Sequence, residues 1–145
     1  MTIGHVHLKI RDLKRSIAFY RQYLGMEVTE SLGHRFVFMS AGKSHHELAL
    51  QEVGMQAATP APHDVGLYHM AFEVPDREAL AATYQKLTEA GVPVYPIDHR
   101  ISWAIYFNDP DHNGVEVYWD TRQTEHGVNR WEGVDRPLDV TKLQS

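Results

Sequence analysis

Hydrophobic and polar positions run through the same order twice along this chain. Val6, Leu8 and Ile10 alternate with His5, His7 and Lys9, the period-two pattern of a strand with one buried face. Met70, Phe72 and Val74 repeat that buried face. Each run then meets an aspartate, Asp12 or Asp76, suited to cap a helix by accepting a hydrogen bond from its free first-turn N–H groups. The period now changes. Leu13, Ile17, Tyr20 and Leu24 in the first copy, and Leu80, Tyr84 and Leu87 in the second, keep the three-and-four spacing that lines one side of a helix. Gly25 and Gly91 suit the left-handed residue that ends such helices.

After each glycine come short β-like runs, at 26–30, 34–40 and 46–53 in the first copy and at 94–98, 102–108 and 114–119 in the second. Each copy therefore reads β-α-β-β-β, and His5 recurs as His69, 64 positions on, so the chain carries an internal repeat. This predicts an α+β fold: one domain over 1–120, with module one at 3–53, a linker at 54–66 and module two at 67–119. The linker, GMQAATPAPHDVG, is rich in Gly, Pro and Ala. Residues 121–145 are polar and weakly periodic, with Trp131 the only large apolar anchor before Leu138, and read as an extended or partly ordered tail.

Strand parity gives the repeat a chemical meaning. His5 and His69 fall on the faces opposite Val6 and Met70, away from the helices. The last strand turns Glu116 and Tyr118 one way and Val115, Val117 and Trp119 the other, so a carboxylate joins the two histidines on the polar face. Taken singly, each of the three reads equally well as a solvated strand residue. Their recurrence at equivalent positions of a repeat favours a ligand set of two imidazoles and one carboxylate. Such a set leaves coordination positions open and suits Fe(II), or alternatively Mn(II), better than structural zinc.

Composition narrows the partners. The 145 residues are 43% hydrophobic with a net charge of -5, enough for a single core, and the 14 basic residues are scattered. Neither nucleic acid nor an anionic membrane is expected, which leaves a small molecule. There are no cysteines and no signal-peptide layout at the start, so a cytoplasmic protein is expected. No apolar run approaches the roughly 20 residues of a membrane-spanning helix.

The paired βαβββ repeat, opened each time by a histidine, resembles the vicinal oxygen chelate superfamily over about residues 3–119. That resemblance implies a curved, barrel-like mixed sheet around a metal site, and often a homo-oligomer in which repeats are exchanged between subunits. Its members include glyoxalase I, fosfomycin-resistance transferases, methylmalonyl-CoA epimerase, metal-free bleomycin-binding proteins and type I extradiol dioxygenases, and fold alone does not choose among them. Residues 97–116, IDHRISWAIYFNDPDHNGVE, are similar to the extradiol dioxygenase signature, with His99, Ile105, Tyr106, Asp109, Pro110 and Glu116 in register. His112 departs from it, standing where the pattern has glycine or proline, and a loop that wants positive φ there would be mildly strained.

A second segment, His45-His46-Glu47-Leu48-Ala49, is similar to the His-His-x-Leu-Ala stretch of those dioxygenases and carries the acid-base role to His46. The resemblance also assigns Tyr106 and His99 to positioning a catechol-type diol and stabilising its anionic oxygens. An uncoordinated histidine with a near-neutral pKa suits proton transfer beside a bound diol. Glu47 competes, since glyoxalase I takes a fourth ligand, a glutamate, from its first repeat. Neighbouring strand residues face opposite ways, so without a bulge only one of His46 and Glu47 points inward. His46 inward implies an Fe(II) enzyme that opens a small aromatic diol with O2. Glu47 inward implies a lyase, isomerase or thiol transferase using the metal as a Lewis acid. A pure binding protein fits less well, having no need of a triad.

Overall fold

The computed structural model describes residues 1–42 and 44–144; Lys43, within module one, and Ser145, at the end of the tail, lie outside them. The chain divides into two compact units, residues 1–66 with 109–112, and residues 67–108 with 113–144. Each contains one β-α-β-β-β copy. No helix among the described residues is long and apolar enough to cross a membrane.

In the first unit, β1 (Val6–Ile10) leads into α1 (Leu13–Leu24), followed by β2 (Glu27–Leu32), β3 (Phe36–Ser40) and β4 (Leu48–Glu52). The sheet runs β1-β4-β3-β2, with β1 parallel to β4 and the other pairs antiparallel. Central β4 buries Leu48, Ala49 and Leu50 completely, with Leu8 and Ile10 beside them. Each buried Leu or Ile contributes on the order of 1.5–3 kcal/mol. Asp12 caps α1 by accepting from the Arg15 N–H at 2.7 Å, and Gly25 ends it at φ 63°.

The buried face of α1 is rotated from the stripe its leucines suggest. Ser16, Phe19 and Tyr20 are buried, while Leu13, Ile17 and Leu24 are only half-buried. The cause lies in residues 109–112, which cluster with this unit and meet the helix through polar groups. The Tyr20 hydroxyl donates to the Asp109 carboxylate at 2.7 Å. Asp111 accepts from Arg11 at 3.0 Å and Arg15 at 2.9 Å, and the Ser16 hydroxyl approaches it at 3.5 Å. Both carboxylates are nearly inaccessible, so these partners are required rather than decorative.

Residues 109–112 form a turn closed by the His112 N–H donating to the Asp109 carbonyl at 3.0 Å, with Pro110 presetting its second position. His112 itself has φ 66°, the left-handed conformation its place in the signature suggests. A side chain there is disfavoured by roughly 1–2 kcal/mol, partly offset by the entropy a glycine loses on folding. His112→Gly is therefore expected to stabilise the protein by about 0.5–1 kcal/mol. A higher urea midpoint with an unchanged slope checks it.

In the second unit, β5 (His69–Val74) and α2 (Arg77–Glu89) precede β6 (Tyr95–Asp98), β7 (Ser102–Asn108) and β8 (Gly114–Asp120). Asp76 caps α2 through the Ala79 N–H at 2.8 Å. The sheet runs β5-β8-β7-β6-β9, and β5 pairs parallel to β8. The fold is thus α+β with two mixed sheets; each sheet is open and neither closes into a barrel. Strand β9 (Arg136–Pro137) belongs to the segment that reads as a polar tail. That segment is fastened to this unit: β9 pairs with β6, Leu138 and Leu143 are buried, and the 3-10 turn Val140–Leu143 packs on α2. Two leucines in a polar stretch are too few to reveal a period, which is why the sequence pattern does not show the attachment.

Candidate functional site

The chemistry-bearing residues fall into two clusters, one in each unit. In the second unit the register lays them out in a row. Ala71 of β5 pairs with Glu116 of β8, which pairs with Tyr106 of β7. His69, two positions before Ala71, shares their face, and its Nε2 stands 3.0 Å from Glu116 Oε2. Gly114 permits the approach of β8 to β5, because a Cβ there would lie 2.3 Å from the Tyr68 carbonyl oxygen.

Beyond Glu116 the row continues into a hydrogen-bonded chain. The Tyr106 hydroxyl lies 2.8 Å from His99 Nε2, and His99 Nδ1 lies 2.5 Å from an Asp135 carboxylate oxygen. Burial and the neighbouring Glu116 carboxylate push the Tyr106 hydroxyl well above the usual tyrosine pKa, so it stays protonated. Ile101, Ser102, Glu116, Tyr118, Asp120 and Arg122 line a shallow pocket of about 320 Å³ on this unit.

In the first unit the His5 and His46 rings meet at 4.5 Å between centroids, tilted by 46°, and the Phe38 ring lies 4.2 Å from that of His46. The approach of His46 depends on an irregularity. Glu47 stands at a bend just before β4, and its backbone N–H donates to the Met39 carbonyl although Leu48 is the register partner of Met39. Strict alternation would turn Glu47 toward the face of His5; with the bend, His46 lies beside His5 instead. The Glu47 carboxylate accepts from the Ala41 N–H at 3.1 Å. Burial opposes its charge, but that bond and those of Ser40 and Ser44 prevail and hold its pKa below the usual value. For His46, desolvation and the adjacent His5 and His45 rings lower the pKa. Its Nδ1 faces His45 Nδ1 at 2.9 Å, and its Nε2 is buried without a partner. His45 in turn pairs with Glu30 at 3.1 Å.

His69 and Glu116 are thus brought together in the second unit, with Tyr106 and His99 beside them, while His5 and His46 meet in the first. Among the described residues no three His, Asp or Glu side chains gather closely enough to hold one cation. The pair in the second unit nevertheless fits a metal ion. Its 3.0 Å separation matches the edge of an octahedron with bonds of about 2.1 Å, and an imidazole nitrogen beside a buried carboxylate is the donor set a hard-to-borderline divalent ion takes.

Comparison with known proteins gives the family. The family described as Glyoxalase/Bleomycin resistance protein/Dioxygenase superfamily matches residues 2–117. The chain belongs to it. Within that superfamily it is similar to catechol-2,3-dioxygenase of Bacillus subtilis, 36% identical over 118 residues. That match takes in 81% of this chain but only 41% of the relative. Biphenyl-2,3-diol 1,2-dioxygenase 3 of Rhodococcus globerulus is 31% identical over 143 residues, 95% of this chain and 74% of the relative. The crystal structure of lactoylglutathione lyase from Agrobacterium tumefaciens superposes with a TM-score of 0.63 at 25% identity, covering 81% of this chain and 92% of that one. Superfamily membership thus spans dioxygenases and a lyase.

Sequence reasoning missed Asp135, which lies outside the residues matched by the family, and the structural use of Asp109 and Asp111. Only the long-range packing of α1 distinguishes those two aspartates from site residues.

Proposed function

We propose that the protein is an extradiol-type dioxygenase that opens a catechol-class ring with O2 at a divalent metal, Fe(II) in the first place and Mn(II) as the alternative, held by His5, His69 and Glu116. The observation that carries this reading is the bend at Glu47. It supports His46, rather than a fourth carboxylate ligand, as the group beside His5. When bound, the metal supplies a Lewis-acidic centre with open positions for the two diol oxygens and O2.

The chain's own residues do the rest. His46 Nε2, unpartnered and with a lowered pKa, takes a proton from the diol and returns it later. Tyr106, kept protonated, offers its hydroxyl as a hydrogen-bond donor near developing oxygen charge, and His99 orients that hydroxyl. Phe38, against His46, keeps one side of the ring dry.

Anaerobic loading with Fe(II), followed by catechol and alkyl- or aryl-substituted catechols in air, is expected to give one O2 consumed per ring opened and a yellow semialdehyde product. Conversion of a hemithioacetal or thiol addition without O2 uptake would replace this reading by a Lewis-acid lyase or transferase. The similarity to lactoylglutathione lyase makes that the second reading.

A further inference from the structure

The segment after the family-matched residues delivers a carboxylate to the second unit's cluster, and its placement is built. Asp98 pairs with Arg136 and Ile97 with Pro137 in the antiparallel β6–β9 ladder. One step outward, that register sets His99 opposite Asp135. The ladder is anchored from beyond by buried Leu138 and Leu143, and Pro137 sits on the sheet's edge, where its missing N–H costs no ladder bond.

The hydrogen-bond directions follow from what each group can do. A carboxylate only accepts, so Asp135 holds a hydrogen on His99 Nδ1, and in the neutral ring this leaves Nε2 as a lone pair. That lone pair is 2.8 Å from the Tyr106 hydroxyl, which has one hydrogen to give. The Glu116 carboxylate, paired with Tyr106 across the β7–β8 ladder and within hydrogen-bond reach of it, competes for the same hydrogen.

We propose that Asp135 is a positioning residue: by fixing the hydrogen on His99 Nδ1 it draws the Tyr106 hydroxyl hydrogen to His99 Nε2 and away from Glu116, leaving that carboxylate free to bind a cation. A simple surface ion pair would need no second acceptor behind the ring. Here both ring nitrogens are engaged and His99 is largely covered, its side chain 18% exposed. The inference rests on the proposed metal role of Glu116, but its first consequence, the tautomer of His99, does not.

Two measurements test it. In metal-free protein labelled with 15N-histidine, long-range 15N–1H spectra are expected to show His99 protonated at Nδ1. The proton is expected to move to Nε2 in Asp135→Ala and to stay on Nδ1 in Asp135→Asn, whose amide oxygen still accepts. In Mn(II) and Fe(II) titrations, Asp135→Ala is expected to weaken metal binding about 10–100-fold, the usual reach of an outer-shell partner. The loss is expected to vanish in a Tyr106→Phe background, where no phenol hydrogen remains to compete. A wild-type His99 protonated at Nε2, or an equal loss of affinity with and without Tyr106, overturns the proposal. If wild type binds neither metal, the functional reading fails while the spectra still decide the role of Asp135.

Discussion

Removing the imidazole of His5 is expected to abolish metal binding, whereas removing that of His46, 4.5 Å away, leaves the metal in place and slows turnover. The contrast follows from what each ring is asked to do. A ligand's loss takes away a bond to the ion, so His5→Ala should lower affinity by more than the 10–100-fold typical of outer-shell changes. A general acid-base group contributes about 10²- to 10⁴-fold to rate, so His46→Ala should lower kcat by that amount with metal content unchanged. Metal analysis after desalting, alongside O2 uptake at saturating catechol, reads both. If His46→Ala emptied the site, His46 would be a ligand and the acid-base assignment would be wrong. The bend makes the test sharp, because the Glu47 carboxylate is held by the Ala41 N–H and is not placed to substitute.

The largest effect on stability is expected at Asp111, a residue with no part in the proposed chemistry. Its carboxylate is 4% exposed and receives both Arg11 and Arg15, together with the Arg11 backbone N–H at 3.2 Å. Asp111→Ala strands two guanidinium groups and a backbone donor. Breaking a fully buried pair costs about 3–5 kcal/mol. Arg15 is 40% exposed and regains water, which brings the expected loss to about 2–4 kcal/mol. Urea denaturation with an unchanged slope is the check, and a loss below about 1 kcal/mol would mean the pair behaves as a surface contact.

These two sites also mark how far the sequence could be read. The repeat and the strand parities come from periods of two and of three and four residues, which local sequence displays directly, whereas the contact of His69 with Glu116 comes from the pairing of β5 with β8. The choice between His46 and Glu47 turns on a bend just before β4, and an alternation pattern carries no trace of it. The rotated face of α1 was hidden for another reason. Ser16 and Tyr20 are buried by partners about 90 positions away, which no local stripe encodes. Asp135 was invisible because the strand it precedes is two residues long and follows an irregular stretch with nothing periodic to announce it.

The 109–112 turn also bears on how the chain matures during synthesis. Helix α1 emerges early, but the acids that satisfy Arg11 and Tyr20 lie 100 and 89 positions further on. At translation speeds of about 5–20 residues per second, roughly 5–20 s pass before they exist. During that interval residues 1–66 are without the acids that satisfy that face of the helix. Completion of the first unit thus waits on residues 109–112, which are made about 100 positions after the arginine they satisfy.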